Sequence, residues 1–263
     1  MILQNILNEI EKVDADVYER LEHVTRRNVF QNFFKKAMKG AAAGAPVVLA
    51  SMLNKAYAGT ADVPDVLNFA LTLEYLEAEF YNMGLDAPGL LTGTARTIYT
   101  QIAKHENEHV ALLKGALGSA AISKPTFDLT YKGAFPNVLS NYDTYVAVSQ
   151  ALEDTGVRAY KGQAPKLIGT PVLETALQIH SVEARHAARV RYLRGYKGWI
   201  TNQDTTNIPG VEAVYKGDDM INQAGLNVSA ITGIPTDTVS EAFDEPLSKE
   251  DVLKIAGPFI VMA

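Results

Sequence analysis

Apolar side chains recur at helical spacing in four long stretches of the chain. In the first stretch Val66, Phe69 and Leu73 share one face, and Pro64 suits a first helical turn. The same periodicity returns three times along the chain, and it predicts helices over about residues 64–81, 94–117, 142–164 and 170–195. Helices of this length suit a four-helix bundle.

The boundaries of the predicted helices favour one bundle topology. Gly118 is typical of a helix end, Pro165 stops the third helix, and Thr170 with Pro171 suits the cap and first turn of the fourth. A long segment rich in Pro, Gly and Ser separates the second helix from the third. Two antiparallel hairpins joined by one long crossover form an all-α, ferritin-like four-helix bundle.

The segments outside this bundle have different patterns. Residues 2–24 carry apolar side chains at three- and four-residue steps and predict an N-terminal amphipathic helix. After residue 200 the chain is rich in loop-forming residues, and Ser248 with Asp251 resembles a capping box near its end. We therefore divide the chain into an N-terminal segment, 1–58, a bundle, 59–200, and a C-terminal extension, 201–263, that we expect to pack on the bundle.

Residues 25–59 resemble a twin-arginine export signal. Paired arginines precede an apolar run, and Ala56-Tyr57-Ala58 precedes Gly59 as a small-residue cleavage site would. The apolar run, residues 40–53, is too short to cross a bilayer as a helix. We expect a periplasmic or otherwise exported protein without a stable membrane span. If this segment is instead a helix packed on the body, the protein is cytoplasmic.

The two predicted hairpins repeat a small set of residues at the same spacing. Glu74 is followed seven positions later by Tyr81, and Glu153 is followed seven positions later by Tyr160. The second helix then carries Glu106-Asn107-Glu108-His109, and the fourth carries Glu183-Ala184-Arg185-His186. Both are E-x-x-H sequences, so the two halves of the bundle repeat one pattern.

This pattern points to a pair of metal ions. A three-residue step on a helix keeps a glutamate and a histidine on one face, one turn apart. Two such helices, with one glutamate from each of the others, supply four carboxylates and two imidazoles, the ligand set of di-iron and di-manganese carboxylate proteins. The predicted ligands of two iron ions, or of manganese, are Glu74, Glu106, His109, Glu153, Glu183 and His186.

The two tyrosines could have a chemical role or a structural one. Tyr81 and Tyr160 share a helix face with their glutamates, where they could hydrogen-bond the groups around the metal or donate electrons as catalytic residues. Core packing with a satisfied hydroxyl is the alternative. Glutamates elsewhere on the helices, Glu77, Glu79 and Glu108, are expected to be solvated, and His23 and His180 to be ordinary surface or core histidines.

Composition removes several classes of site and partner. The chain has no cysteine, which excludes disulfides, iron–sulfur clusters and thiolate zinc sites, so a metal must use carboxylates and imidazoles. With 24 basic and 30 acidic residues it has a formal net charge of −6, which argues against a nucleic-acid partner.

One alternative metal site lies within the second helix. The sequence HENEH matches H-E-x-x-H, in which His105 and His109 would bind zinc and Glu106 would act as the general base of a peptidase. The fourth helix has Val182 where a second pair would need a histidine. A peptidase would also leave the other predicted ligands unexplained.

The chain also resembles the ferritin-like domain family that includes exported bacterial members and plant desiccation-related proteins. The resemblance rests on LNFALTLEYLEAEFY, IAKHENEHVALLKGAL, ALEDTGVRAYKG and SVEARHAARVRYLRG, with EAFDEPLSKEDVLKIAGPF similar to the family's C-terminal segment. It implies a ferritin-like fold with a di-iron centre.

Two functions remain open for such a protein. The first is an oxidoreductase that oxidises ferrous iron or reduces dioxygen or peroxide at the bundle centre. The second is a non-catalytic exported stress protein with a structural or vestigial metal site. A homo-oligomer is compatible with the sequence, whereas the loop-rich C-terminal extension argues against a 24-subunit cage.

Overall fold

A bundle of four long helices forms the body of the protein. The computed structural model describes residues 63–203 and 211–261, so the predictions for residues 1–58 lie outside the described residues. The bundle consists of α1 (Val63–Asp86), α2 (Gly93–Leu117), α3 (Tyr142–Gln163) and α4 (Val172–Leu193). Helix α1 packs along α2, and α3 along α4. The predicted all-α bundle is confirmed. Among the described helices, none combines the length and apolar composition that a membrane span requires.

Two helix ends differ from the sequence prediction. Helix α1 continues to Asp86 instead of ending near Tyr81. Gly84 lies inside this extra turn, and a Cβ atom there would be 2.2 Å from Tyr145 Oη, so the tyrosine of α3 packs directly against the glycine backbone. Helix α4 begins at Val172 without a side-chain cap, and the Thr170 hydroxyl donates to the carbonyl of Leu167 at 2.7 Å. The prediction that Thr170 caps α4 was therefore wrong.

The crossover between α2 and α3 pairs with the C-terminal end of the described chain. Residues Gly118–Ala120 form a 3-10 turn after α2, and strand β1 (Thr126–Phe127) pairs antiparallel with the last strand, β4 (Ile260–Val261). Thr126 lies opposite Val261 in this pairing. The crossover is thus tied to the C-terminal extension by backbone hydrogen bonds.

Short elements make up the described part of the C-terminal extension. They are α5 (Glu212–Tyr215), β2 (Asn222–Gln223), β3 (Leu226–Asn227), α6 (Val228–Thr232), α7 (Thr236–Ser240), α8 (Lys249–Ala256) and β4. Strands β2 and β3 form an antiparallel hairpin. The predicted cap at Ser248 is confirmed, because its hydroxyl accepts the backbone N–H of Asp251 at 3.1 Å and so satisfies a free donor of the first turn of α8.

The extension is held to α3 by a buried arginine and by backbone contact. Arg158 is only 1% exposed, and its guanidinium donates to the carbonyl oxygens of Glu245 at 2.6 Å and Lys216 at 2.9 Å. The backbone N–H of Leu247 donates to the carbonyl of Arg158 at 3.1 Å. A helix of the bundle therefore carries the attachment site of the extension on its outer side.

Replacing Gly162 by alanine is expected to disrupt this attachment. A Cβ atom at Gly162 would lie 1.9 Å from the backbone oxygen of Leu247, and backbone cannot move aside as a flexible side chain can. Overpacking of this kind costs about 1 to 3 kcal/mol, to be measured by chemical unfolding. Gly257→Ala is the matched control, because a Cβ there meets nothing within 4 Å; equal stability of the two variants would contradict the prediction.

Candidate metal centre

All six predicted ligands project into the middle of the bundle. Each helix contributes from its inner face, and all six side chains are buried: Glu74 from α1, Glu106 and His109 from α2, Glu153 from α3, and Glu183 and His186 from α4. The four glutamates are 0% exposed, and the more exposed histidine, His109, is 9% exposed. Four carboxyl groups in an apolar core are costly to bury unless something compensates their charge.

The first group of potential ligands surrounds His109. Its Nδ1 atom lies 3.2 Å from Glu74 Oε2, 3.0 Å from Glu106 Oε2 and 3.2 Å from Glu183 Oε1. One ligand atom from each of these four residues lies within 4.8 Å of the others. The group therefore draws on α1, α2 and α4.

The second group is the counterpart of the first around His186. The Nδ1 atom of His186 lies 2.9 Å from Glu106 Oε1, 3.3 Å from Glu153 Oε2 and 4.0 Å from Glu183 Oε2. These four residues also offer ligand atoms within 4.8 Å of one another. Glu106 and Glu183 belong to both groups, and each directs one oxygen toward each histidine.

These spacings are compatible with atoms that share a metal ion. Two ligand atoms that each lie about 2.1 Å from one ion, at a right angle, are about 3.0 Å apart. The contacts between His109 Nδ1 and its three carboxylates fall close to this separation. Each group could hold one ion, and because Glu106 and Glu183 belong to both groups, two ions would use every carboxylate of the cluster.

Several polar atoms of the cluster lack hydrogen bonds, which supports the fit of metal ions. Among the described residues, Glu106 Oε1, Glu153 Oε2, both carboxylate oxygens of Glu183 and His186 Nδ1 are buried without a hydrogen-bond partner. His186 Nδ1 and Glu106 Oε1 are close, yet their orientation gives no hydrogen bond. An unsatisfied buried polar group costs about 1 to 3 kcal/mol, more if charged, so this arrangement suits ions that accept those lone pairs.

The two tyrosines of the repeat hydrogen-bond to Glu74 and Glu153, the outer glutamates, each of which belongs to only one group of potential ligands. Tyr81 of α1 donates to Glu153 Oε1 of α3 at 2.5 Å. Tyr160 of α3 donates in turn to Glu74 Oε1 of α1. Each tyrosine therefore serves the glutamate of the opposite helix, and each outer glutamate keeps its second oxygen for the cluster.

The histidines favour their protonated form when no metal is bound. Burial lowers the pKa of His109, but the neighbouring carboxylates of Glu74, Glu106 and Glu183 outweigh it and raise that pKa well above its usual range. Burial also opposes protonation of His186, whereas Glu153 and Glu106 raise its pKa to about 11. A metal ion therefore competes with the second proton of each imidazole.

The carboxyl groups respond differently to the same environment. Burial raises the pKa of Glu106 to about 7, although His109 and His186 act against it. Burial and the neighbouring Glu106 raise the pKa of Glu183 well above its usual range. Burial also raises the pKa of Glu74, but the attraction of His109 reverses this and leaves it lowered. Both shared glutamates are thus harder to ionise than an ordinary glutamate when no metal is bound.

The H-E-x-x-H alternative is not supported by the position of His105. Its Nδ1 atom lies 2.8 Å from Nε2 of His186, the ring nitrogen that faces away from the carboxylates. Its other nitrogen lies 2.6 Å from Gln101 Nε2 near the surface. Among the described residues, neither group of potential ligands includes His105. It contacts a potential ligand from outside, as the outer partners of metal-binding histidines do.

A fifth carboxyl group in the bundle was missed by the sequence prediction. Glu77 was expected to be solvated, but it is 3% exposed, because it lies one turn after Glu74 on the inner face of α1. Gly156 stands at the matching position of α3, three residues after Glu153. A Cβ atom on Gly156 would lie 3.4 Å from Glu77 Oε1 and 3.3 Å from Glu183 Oε2. Gly156, a glycine inside a helix, was the sequence feature that could have indicated space for the Glu77 side chain.

Glu77→Gln is expected to flatten the pH dependence of stability in the metal-free protein. Burial, with repulsion from Glu183 and Glu153, raises the pKa of Glu77 well above the 4.5 of an unfolded glutamate. Above pH 4.5 the unfolded chain ionises while the folded one does not, so wild-type stability falls as pH rises toward the raised pKa. Glutamine cannot ionise, and its advantage should therefore grow with pH.

Chemical unfolding of chelator-treated protein across a pH series measures this difference. Glu108→Gln is the matched control, since Glu108 is exposed on α2. Parallel pH profiles for wild type and Glu77→Gln would show that the prediction is wrong.

The remaining predicted positions agree with their simpler interpretation. Glu108 is exposed, and Glu79 is partly exposed and pairs with Lys124. His180 is partly buried outside both ligand groups, and His23 lies outside the described residues.

Comparison with known proteins identifies the family to which the bundle is similar. A family model described as a ferritin-like domain matches residues 62–196, slightly more than half of the 263-residue chain. The match includes all four long helices and all six potential ligands. No curated protein matches the chain.

Proposed function

The chain belongs to the ferritin-like domain family. We propose that its central cluster binds two iron ions and works as a di-iron oxidoreductase. The observation that carries this proposal is the position of Glu106 and Glu183, which are shared by two groups of potential ligands. Four carboxylates balance the charge of two divalent ions. A centre of two bridged ions is the arrangement that uses all six ligands at once.

The donor set suits iron and manganese alike, and iron is the metal that we propose. Carboxylates and imidazoles are the ligands of both metals in this class of site, and the chain has no cysteine to offer a softer ligand. When bound, two ferrous ions would supply two electrons, which with two protons reduce dioxygen to hydrogen peroxide, or hydrogen peroxide to two water molecules. Manganese would bind to the same oxygens and nitrogens.

The residues of the chain have separate tasks in this proposal. His109 and Glu74 would hold one ion, His186 and Glu153 would hold the other, and the shared glutamates, Glu106 and Glu183, would contribute to both. Metal binding displaces protons from the histidines and from Glu106, so metal affinity should rise with pH. Tyr81 and Tyr160 orient the outer glutamates and keep their phenolic protons, because burial raises the pKa of both hydroxyls well above the usual range.

Tyr81→Phe and Tyr160→Phe are each expected to weaken metal binding without unfolding the bundle. Each change removes a hydrogen bond that orients an outer glutamate. Loss of such a supporting contact lowers metal affinity by about 10- to 100-fold, measurable by competition with a chelator. Tyr75→Phe is the control, since the Tyr75 hydroxyl contacts the backbone of Ile122 at 3.4 Å. An unchanged affinity in both variants would contradict the role of the tyrosines.

The test of the proposed function begins with anaerobic titration of ferrous iron into the metal-free protein. We expect saturation at two ions per chain. On exposure to dioxygen or hydrogen peroxide, the bound iron should then be oxidised faster than iron at the same concentration in buffer. The rate is measured by trapping the ferrous ions that remain at each time. Failure to bind iron would end the di-iron proposal. Binding without faster oxidation would favour the non-catalytic alternative, a bundle that holds metal only structurally.

We also propose that the protein is exported before it functions. The support is the twin-arginine pattern and the sequence Ala56-Tyr57-Ala58, which resembles a cleavage site, in residues outside the described part of the chain. A twin-arginine route moves folded proteins, which would let metal be loaded beforehand. Intact-mass analysis of the native protein decides this, because a mass that still includes Met1 would contradict cleavage.

A further inference from the structure

The two groups of potential ligands differ in what lies behind their histidines. On the side away from the carboxylates, Nε2 of His186 lies 2.8 Å from Nδ1 of His105, a residue of α2. Nε2 of His105 in turn lies 2.6 Å from the side-chain amide of Gln101, one turn earlier on the same helix. Two polar side chains of α2 therefore form a chain that starts at a potential ligand of α4 and ends at an exposed residue.

His109 has no counterpart of this chain among the described residues. Its hydrogen bonds there are made by Nδ1, which lies 3.2 Å from Glu74 Oε2 and 3.0 Å from Glu106 Oε2. Its other ring nitrogen, Nε2, has no hydrogen bond within the described part of the chain. One histidine of the cluster is therefore supported from behind and the other is not.

The repeat in the sequence accounts for this difference. His105 is the residue before Glu106 on α2, and Val182 is the residue before Glu183 on α4. The two hairpins otherwise exchange equivalent contacts, because each tyrosine of the repeat donates to the outer glutamate of the other hairpin. Position 182 of α4 is therefore the counterpart of position 105 of α2, and a valine side chain has no donor or acceptor with which to support His109.

The ring nitrogens that face the carboxylates also differ. His186 is only 5% exposed, and its Nδ1 atom is buried without a hydrogen-bond partner among the described residues. A metal ion there meets a nitrogen with no hydrogen bond to give up, on a ring whose other nitrogen is already held. At His109 an ion must first replace the hydrogen bonds of Nδ1 to Glu74 and Glu106.

We propose that the two metal positions are not equivalent, and that the position at His186 fills first because His105 holds that imidazole in the orientation and tautomer that bind metal. Coordination through Nδ1 requires the proton on Nε2, which His186 donates to Nδ1 of His105. His105 then carries its own proton on Nε2 and donates it to the amide oxygen of Gln101, whose terminal atoms exchange places by rotation. This inference rests on the proposed di-iron function, and it makes His105 a positioning residue.

Anaerobic calorimetric titration of ferrous iron into the full-length, chelator-treated protein measures the two affinities. We expect two steps of one ion each, with the first ion bound about 10- to 100-fold more tightly than the second, which is the usual effect of an outer partner on a histidine ligand. Two ions that bind with equal affinity would overturn this proposal and leave the di-iron function standing. A protein that binds no iron would contradict both.

Variants of the outer glutamates identify the position that fills first. Glu74 belongs only to the group around His109, and Glu153 only to the group around His186. Glu74→Gln should therefore keep the tighter step and weaken the other, whereas Glu153→Gln should weaken the tighter step. The opposite pattern would mean that the position at His109 fills first, and the proposal would then be wrong.

Two variants of His105 separate its hydrogen bond from its packing. The rings of His105 and His186 are nearly parallel, at 14°, with centroids 5.1 Å apart, so phenylalanine keeps the ring contact and loses the hydrogen bond. His105→Phe should weaken the tighter step by about 10- to 100-fold and leave the other step unchanged. His105→Asn should restore most of that affinity, because the asparagine oxygen can accept in place of Nδ1. An unchanged tighter step in His105→Phe, or an equal loss in both variants, would overturn the positioning role.

Val182→His is the converse test, because it places a histidine at the matching position of α4. The weaker step should tighten toward the affinity of the other step. Arg189→His is the matched control, since it adds a histidine on the exposed side of α4 and should change neither step. A folded Val182→His variant with an unchanged weaker step would contradict the assignment of the asymmetry to this position. If Val182→His does not fold, the comparison of His105→Phe with His105→Asn still decides the result.

Discussion

Replacing Glu106 and Glu183 together by glutamine is expected to take the protein from two bound metal ions to none. These two side chains belong to both groups of potential ligands, and they bring two of the four negative charges of the cluster. Glutamine keeps their size but leaves two carboxylates against two divalent ions. The four carboxylate oxygens of Glu106 and Glu183 would be replaced by neutral amide atoms. Neither group of ligands would then keep enough negative charge to hold a divalent ion.

The same substitutions should leave the metal-free bundle folded. Burial raises the pKa of both Glu106 and Glu183, so these residues are already hard to ionise, and a neutral amide replaces them with little cost. Elemental analysis gives the number of ions per chain, and thermal unfolding with and without added metal shows whether metal still stabilises the protein. Glu108→Gln, on the exposed side of α2, is the control and should keep both ions. Two ions bound to the double variant with wild-type affinity would contradict the bridging role.

Arg191→Met is expected to cost about 3 to 5 kcal/mol of stability, the usual penalty for leaving one partner of a buried ion pair alone. Arg191 of α4 contacts Asp154 of α3 at 2.5 Å, and their side chains are 1% and 4% exposed. Tyr215 of the C-terminal extension donates to the same carboxylate at 2.8 Å. The pair thus joins both helices of the second hairpin to the extension.

The loss should depend on pH in a defined direction. Burial already raises the pKa of Asp154, and Arg191 opposes that rise. Without Arg191 the folded pKa moves further above that of the unfolded chain, so stability falls as pH increases from about 4 toward the folded pKa. Chemical unfolding should therefore show a larger deficit at pH 7 than at pH 4.

A double-mutant cycle separates the ion pair from the loss of packing. Arg191→Met combined with Asp154→Asn should recover part of the stability that Arg191→Met loses, because no unpaired charge remains buried. Lys254→Met is the surface control, since Lys254 pairs with two exposed acids of α8, Glu250 and Asp251, and should matter little. A cost for Arg191→Met as small as that of Lys254→Met would show that the buried pair is not needed.

The burial of the charged residues on the outer side of α3 could not be predicted from the sequence pattern. Arg158 and Asp154 lie between inner-face residues of α3, and their charge alone suggests solvent. They are buried because the C-terminal extension covers that side of the helix, where Arg158 binds backbone carbonyls and Asp154 meets Tyr215. Contacts between segments more than fifty residues apart leave no local periodicity in the sequence.

Glu77 and the tyrosines show the same limit inside the bundle. The seven-residue spacing identified Tyr81 and Tyr160, but it did not say that each would bind the glutamate of the opposite helix. Glu77 follows the same face as Glu74, yet its burial depends on the space left by Gly156 of the facing helix. Such details are fixed by the distance between helices, which depends on the packing of all four.

The sequence by itself determined the four helices, their order and the six residues that face the centre. Helical geometry is local: a step of three or seven residues places side chains on one face whatever surrounds them, and the repeated E-x-x-H marks that face twice. Only the tertiary structure decided which oxygens meet which histidine, which carboxyl groups are shared and that Glu77 is buried. These features arise between helices, where the summed packing of distant side chains sets separations to within fractions of an ångström.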